Sequence, residues 1–211
     1  MLASMMVLVP SHVIALGHAA VRPGDRATPS QLLAELKDFN ARLLASSSAT
    51  QTLEAWCAEH HLAADPQIVA HLIDGPPKMA SDEVRHHLSV GADEPVRYRH
   101  VTLSCGDHVL SVADNWYVPN RLTPEMNHQL ETSDVPFGRV IKPLGATRHT
   151  LSALTLWHIP QGRHPALGQH QFSLPAHLLQ HRAVLVTPQD LPIAEVVETY
   201  TSAIVDTDGA K

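Results

Sequence analysis

The chain has 211 residues, enough for one domain with a sizeable core. Its formal net charge is -6, and no basic stripe or block of like charge interrupts it, which argues against nucleic acid as the main partner. GxGxxG, GxxxxGK, HExxH and GxSxG are all missing, so nucleotide-binding, zinc-protease and serine-hydrolase readings lack their signatures.

The opening run, MLASMMVLVPSHVIALGHAA, is apolar and ends in small residues, as the apolar region and cleavage site of a secretory signal peptide do. No Lys or Arg precedes it. Pro10 and His12 interrupt it, so a stable membrane span is not expected. Residues 1–20 are read as a signal peptide or disordered N-terminus. Export to the periplasm or outside follows from the signal-peptide reading, and a cytoplasmic location otherwise. VRPGDRA, 21–27, is a polar linker, and 28–206 is expected to be a single domain.

That domain begins with two helices. In TPSQLLAELKDFNARLLA, Thr28 and Gln31 form a capping box with Pro29 at the first helical position. Leu32, Leu33, Leu36, Phe39, Leu43 and Leu44 recur at helical spacing. Ser48 and Gln51 suggest a second cap, followed by a face of Leu53, Trp56, Cys57 and His60. DPQIVAHLIDGPP reads as a strand and turn, and SDEVRHHL as a short helix. VRYRHVTLSC and HVLSVADNWYVP then form a hairpin about Gly106-Asp107. TPEMNHQLE is a helix capped by Thr123, and VPFGRVIKPLG a turn leading into extended chain. RHTLSALTLWHI is a strand and PQGRHPALGQH a polar loop. FSLPAHLLQHRAVLVT holds a short helix and a strand, and IAEVVETYTSAIV is the last strand. Strands that cluster in hairpins, without alternating crossover helices, predict an α+β domain. Its sheet is mainly antiparallel, with helices packed on one side.

Strand parity singles out Arg99. It shares a face with Val101, Leu103 and Cys105, the better core candidate, and a buried guanidinium is costly unless it meets an anion. On the last strand Glu195 and Glu198 take opposite faces, so one can meet solvent while the other lies in the core. Spacing alone favours a structural ion pair between the buried arginine and the buried glutamate. Cys57 and Cys105 could form one disulfide in an oxidising compartment or stay two buried thiols, and the burial habit of free cysteine favours the thiols. His177 and His181 stand four apart on the predicted helix, but with no third ligand they read as a solvated face. The pairs His60-His61 and His86-His87 read as surface residues. No metal site is expected.

Four segments in order resemble the chorismate lyase superfamily, which joins chorismate pyruvate-lyases to the UTRA ligand-binding domains of bacterial transcription regulators. They are SSSATQTLE, LSVGADEPVRYRHVTLSCGDHVLSVADNWYVP, VPFGRV and LPIAEVVETYTSAIV. The resemblance spans about Leu43 to Ile204. It implies that Arg99 grips a carboxylate, that the backbone at Phe137 and Gly138 contacts the ligand, and that Glu198 meets a ring hydroxyl. Ala49 stands where the lyases carry a ligand-contacting Met, with Thr50 after it, and Phe137 stands where they carry Leu. No winged-helix DNA-binding segment precedes Thr28, which sets the chain apart from the regulators.

The ligand implied is a small aromatic or cyclohexadiene carboxylic acid, bound by a monomer without metal or organic cofactor. Two functions are carried forward. The first is a carbon-oxygen lyase converting chorismate to a hydroxybenzoate and pyruvate, with Arg99 and Glu198 as its catalytic pair. The alternative is a non-catalytic binding protein for such an acid, related to the UTRA effector-binding domains.

Overall fold

The computed structural model describes residues 27–158 and 174–205. The apolar run 1–20, most of the 21–27 linker, the loop PQGRHPALGQH and the tail DTDGAK lie outside the described residues. Both leading helices start where their caps predict. Thr28 closes its capping box on α1 (Pro29–Ala45), and the Ser48 side chain accepts from the Gln51 amide at the head of α2 (Ala49–Glu59). Then come β1 (Ile68–Leu72), α3 (Asp82–His87), β2 (Arg97–Cys105) and β3 (His108–Tyr117). The last elements are α4 (Pro124–Thr132), α5 (Phe137–Val140), β4 (Thr147–Thr155), β5 (His177–Val186) and β6 (Pro192–Thr201).

The strands form one antiparallel sheet in the order β1-β2-β3-β6-β5-β4. Gly106 makes the β2–β3 turn at φ +52, a conformation only glycine adopts cheaply. The fold is therefore the expected α+β architecture, with α1, α2, α4 and α5 on one side. Apolar residues on that side fall into two clusters. One joins Leu36, Phe39 and Leu43 of α1 to Leu53 and Trp56 of α2, over Leu103, Leu110 and Tyr200. The other joins Met126 and Leu130 of α4 to Phe137 and Val140 of α5, over Tyr117, Leu185 and Val196.

The structure corrects several expectations. VPFGRVIKPLG is not extended. Pro136 caps α5, accepting from the Arg139 and Val140 amides, and Lys142–Leu144 follows as a further helical turn. The proline at the cap has no amide to lose, and its φ of -60 leads the chain into the helix. FSLPAHLLQHRAVLVT has no helix among its described residues, and His177 and His181 both belong to β5. His181 is fully buried, because that strand is interior to the sheet and its helix-side face lies under α1. Its Nε2 lies 2.7 Å from Asn40 Oδ1. Of the paired histidines, His60 stacks on Trp56 and His87 bonds Glu195, while His61 and His86 are exposed.

Glu195 does face away from Glu198, yet it is not solvated. It is fully buried, since α3 lays Val84 and Leu88 over Trp116 on the opposite face of the sheet. Its Oε2 lies 2.8 Å from His87 Nδ1, and its Oε1 makes only a 3.5 Å ion pair with Arg182. The two cysteines are not thiols. Cys57 and Cys105 form a disulfide with Cα atoms 6.3 Å apart. Both belong to the first apolar cluster, where α2 lies over β2, and sequence spacing carries no information about that contact.

Candidate functional site: a cationic cavity between the two apolar clusters

Between the two clusters the helices leave a cavity of about 280 Å³. Its floor is the sheet: Arg99, Val101 and Leu103 of β2, Ala113 and Asn115 of β3, and Val196 and Glu198 of β6. Strand pairing explains the grouping. Arg99 stands opposite Asn115, which stands opposite Val196, and the next row on that face is Val101, Ala113, Glu198 and His181. Arg99 and Glu198 are thus two strands and two residues apart. At ordinary strand spacing their Cα atoms are about 12 Å apart, too far for a close pair and room enough for a ring.

One wall is the start of α2, with Ser48, Ala49 and Thr50, and another is α5, with Phe137 and Gly138. All six residues implied by the resemblance, Arg99, Glu198, Phe137, Gly138, Ala49 and Thr50, therefore border one cavity. The first amides of α2 have no intrahelical acceptor and lie at this wall. Gly138 lets the two walls meet, because a Cβ there would lie 2.8 Å from Thr50 Oγ1. The Phe137 ring is buried, with its centroid 5.7 Å from that of Tyr117.

Arg99 is 4% exposed. Its Nε donates to Leu130 O at 2.9 Å, and its Nη2 donates to Val135 O at 3.2 Å and Ser133 O at 3.5 Å. These carbonyls close the C-terminal end of α4, whose partial negative charge suits a guanidinium. Nη1 is buried with no hydrogen-bond partner, and no carboxylate among the described residues pairs with this arginine. Burial lowers its pKa from the usual value, partly offset by Tyr117. The expected Arg99–Glu198 pair does not form.

Glu198 pairs instead with Arg148, at the start of β4. Arg148 Nη2 donates to Glu198 Oε2 at 2.9 Å, and the Tyr200 hydroxyl donates to the same oxygen at 3.1 Å. Burial, with Glu198 second, holds the Tyr200 phenol well above its ordinary pKa, so it stays a donor. Arg148 is the residue that sequence reasoning missed. Its alternate neighbours, Thr150 and Ser152, are polar, so nothing marks that strand face as buried. Asn115 was missed as well; its alternate neighbours are Ala113 and Tyr117. Lys142 sits exposed at the rim. Among the described residues the lining thus carries three cationic side chains, Arg99, Lys142 and Arg148, against the single carboxylate of Glu198. No group of three or more His, Cys, Asp or Glu side chains suited to a metal assembles among the described residues.

No family model matches the chain. It is 44% identical over 191 residues to "Uncharacterized protein y4mC" of Sinorhizobium fredii (strain NBRC 101917 / NGR234), covering 87% of this chain and 81% of that protein. The chain belongs to that protein's family. Among solved structures it is similar to the effector domain of PhnF from Mycobacterium smegmatis, with a TM-score of 0.50 and 16% identity, covering 74% of this chain and 88% of that one. It also matches the whole PhnF chain, with a TM-score of 0.49 and 15% identity, covering 73% of this chain and 63% of that one. The likeness to the PhnF effector domain is one of fold. Among the described residues no helix is long and apolar enough to cross a membrane.

Proposed function

We propose that this protein is a binding domain for a small organic acid, an aromatic or cyclohexadiene carboxylate, and that it holds the acid without transforming it. One observation carries the reading: Arg99 is buried at the cavity with a guanidinium nitrogen unpartnered and no carboxylate among the described residues to balance its charge. A buried charge of this kind is stabilised by a ligand of opposite sign. Arginine's planar fork suits a carboxylate. The cationic excess of the lining works in the same direction, and a cavity of about 280 Å³ is near the small end of ligand sites.

The likeness to an effector domain supports binding over lyase chemistry. Titrating the full chain with benzoate by calorimetry tests the reading, with one-to-one binding expected. Incubation with chorismate should release no pyruvate. Pyruvate release would restore the lyase reading, and absence of any acid binding would end both.

A further inference from the structure

Resting on the acid-binding reading, we infer that the Cys57–Cys105 disulfide is a redox-set lock on the cavity. Oxidised, the protein holds its acid; reduced to two thiols, it holds it more weakly. The bond joins two elements that build the site. Cys57 lies in α2, whose head supplies Ser48, Ala49, Thr50 and Gln51 to one wall. Cys105 ends β2, which supplies Arg99, Val101 and Leu103 to the floor. Among the described residues α1 supplies nothing to the lining, so a change of packing at α1 has no such route to the ligand.

Both cysteines are fully buried. Reduction by a dithiol breaks the S–S bond, passes two electrons and two protons to the cysteines, and leaves the dithiol as a disulfide. Buried sulfurs exchange slowly with outside thiols, so the lock is set by the compartment in which the chain matures. Two thiol sulfurs need a van der Waals separation that the bond abolishes. In a close-packed core that space comes from moving α2 and β2 apart or from re-aiming a side chain. The helix has little slack to absorb it. Beyond Cys57, the turn after β2 presses on the chain leaving α2, because a Cβ at Gly106 would lie 2.9 Å from that of Ala63. At the head, Thr50 meets Gly138, and the Arg148 amide donates to Ser47 O at 3.2 Å. Ala49 and Cys57 are eight residues apart on one helix, about 12 Å, so a displacement at the bond reaches the cavity wall. The helix itself persists on the sheet, since Leu53 is buried and Trp56 Nε1 donates to Ile204 O at 3.0 Å.

The test titrates the full chain with benzoate by calorimetry, oxidised and after complete reduction with dithiothreitol. Thiols are counted under denaturing conditions, and folding is followed by circular dichroism. The oxidised protein should bind at least about fivefold tighter than the reduced one, the lower end of ordinary coupling between sites. The double variant Cys57→Ala/Cys105→Ala should match the reduced protein, with or without dithiothreitol. Coupling is reciprocal, so in a buffer of dithiothreitol and its disulfide, saturating benzoate should shift the equilibrium toward the bond by the same factor. Equal affinity in the oxidised and reduced protein overturns the inference and leaves acid binding standing. An oxidised protein that binds no benzoate or hydroxybenzoate removes the parent reading itself. A double variant that binds as tightly as the oxidised protein also overturns the inference; if that variant does not fold, the reduced wild type decides. A reduced wild type that unfolds overturns it too, because the bond is then a condition for folding and not a lock on the site.

Discussion

One sheet face is used in two ways. At one end, β2, β3 and β6 meet α1 and α2 in a filled cluster, where the Phe39 ring lies 5.0 Å from Trp56 and 5.1 Å from Tyr200, each edge-on. One and two rows further along, the same strands present Glu198 and then Arg99 and Asn115 to an open cavity. The filled end gains from burial and aromatic contact. The open end forgoes that packing and keeps buried charges. Stability should therefore reside mainly in the first and ligand affinity in the second.

The largest effect should come from breaking the filled end. Phe39→Ala removes a fully buried ring and should cost ~3–5 kcal/mol in urea denaturation. Phe39 is not part of the cavity lining, so benzoate affinity of the folded fraction should not change. A loss of affinity matching the loss of stability would show that the two ends are one cooperative device.

Next comes His181, in the strand row of Glu198. Burial, with Arg148 nearby, depresses its pKa from 6.5 to about 4. As pH falls below 6.5, the unfolded chain takes up a proton that the folded chain refuses, so stability falls until about pH 4. The expected loss is about 3 kcal/mol. Glu35 works in the opposite sense, since burial and Asp38 raise it to about 7, and the folded state gains as pH drops from there toward 4.5. The difference between wild type and His181→Gln, each denatured at neutral pH and near pH 4, isolates the histidine. Equal acid sensitivity in both would refute its role.

At the open end, Arg99→Lys keeps the charge and loses the fork. Benzoate binding should weaken by ~1.5–3 kcal/mol, with a smaller change in folding stability. The reverse pattern would make Arg99 a structural tie to the end of α4. The smallest effect belongs to Ser48, which caps α2 and also borders the cavity. Ser48→Ala should cost ~1 kcal/mol of stability, read as a small drop in Tm. A drop in affinity larger than the drop in stability would assign the head of α2 to the ligand.

The caps of α1, α2 and α4, the Gly106 hairpin and the amphipathic face of α1 were legible because each is set by neighbours within a few residues. Arg99 was legible as a buried charge because Val101 and Leu103 mark its strand face as core. Those local signals determined the α+β class and the residues around which a site could form. Tertiary structure alone decided which charges meet. Glu198 pairs with Arg148, fifty residues away in sequence, and not with Arg99, because sheet order brings β4 and β6 to either side of β5. Burial of Glu195 depends on α3 folding over the far face, and the Cys57–Cys105 bond on where α2 lies over β2. Cap and strand patterns repeat over two to four residues, whereas ion pairs, cavities and disulfides depend on distances that only the packed chain sets.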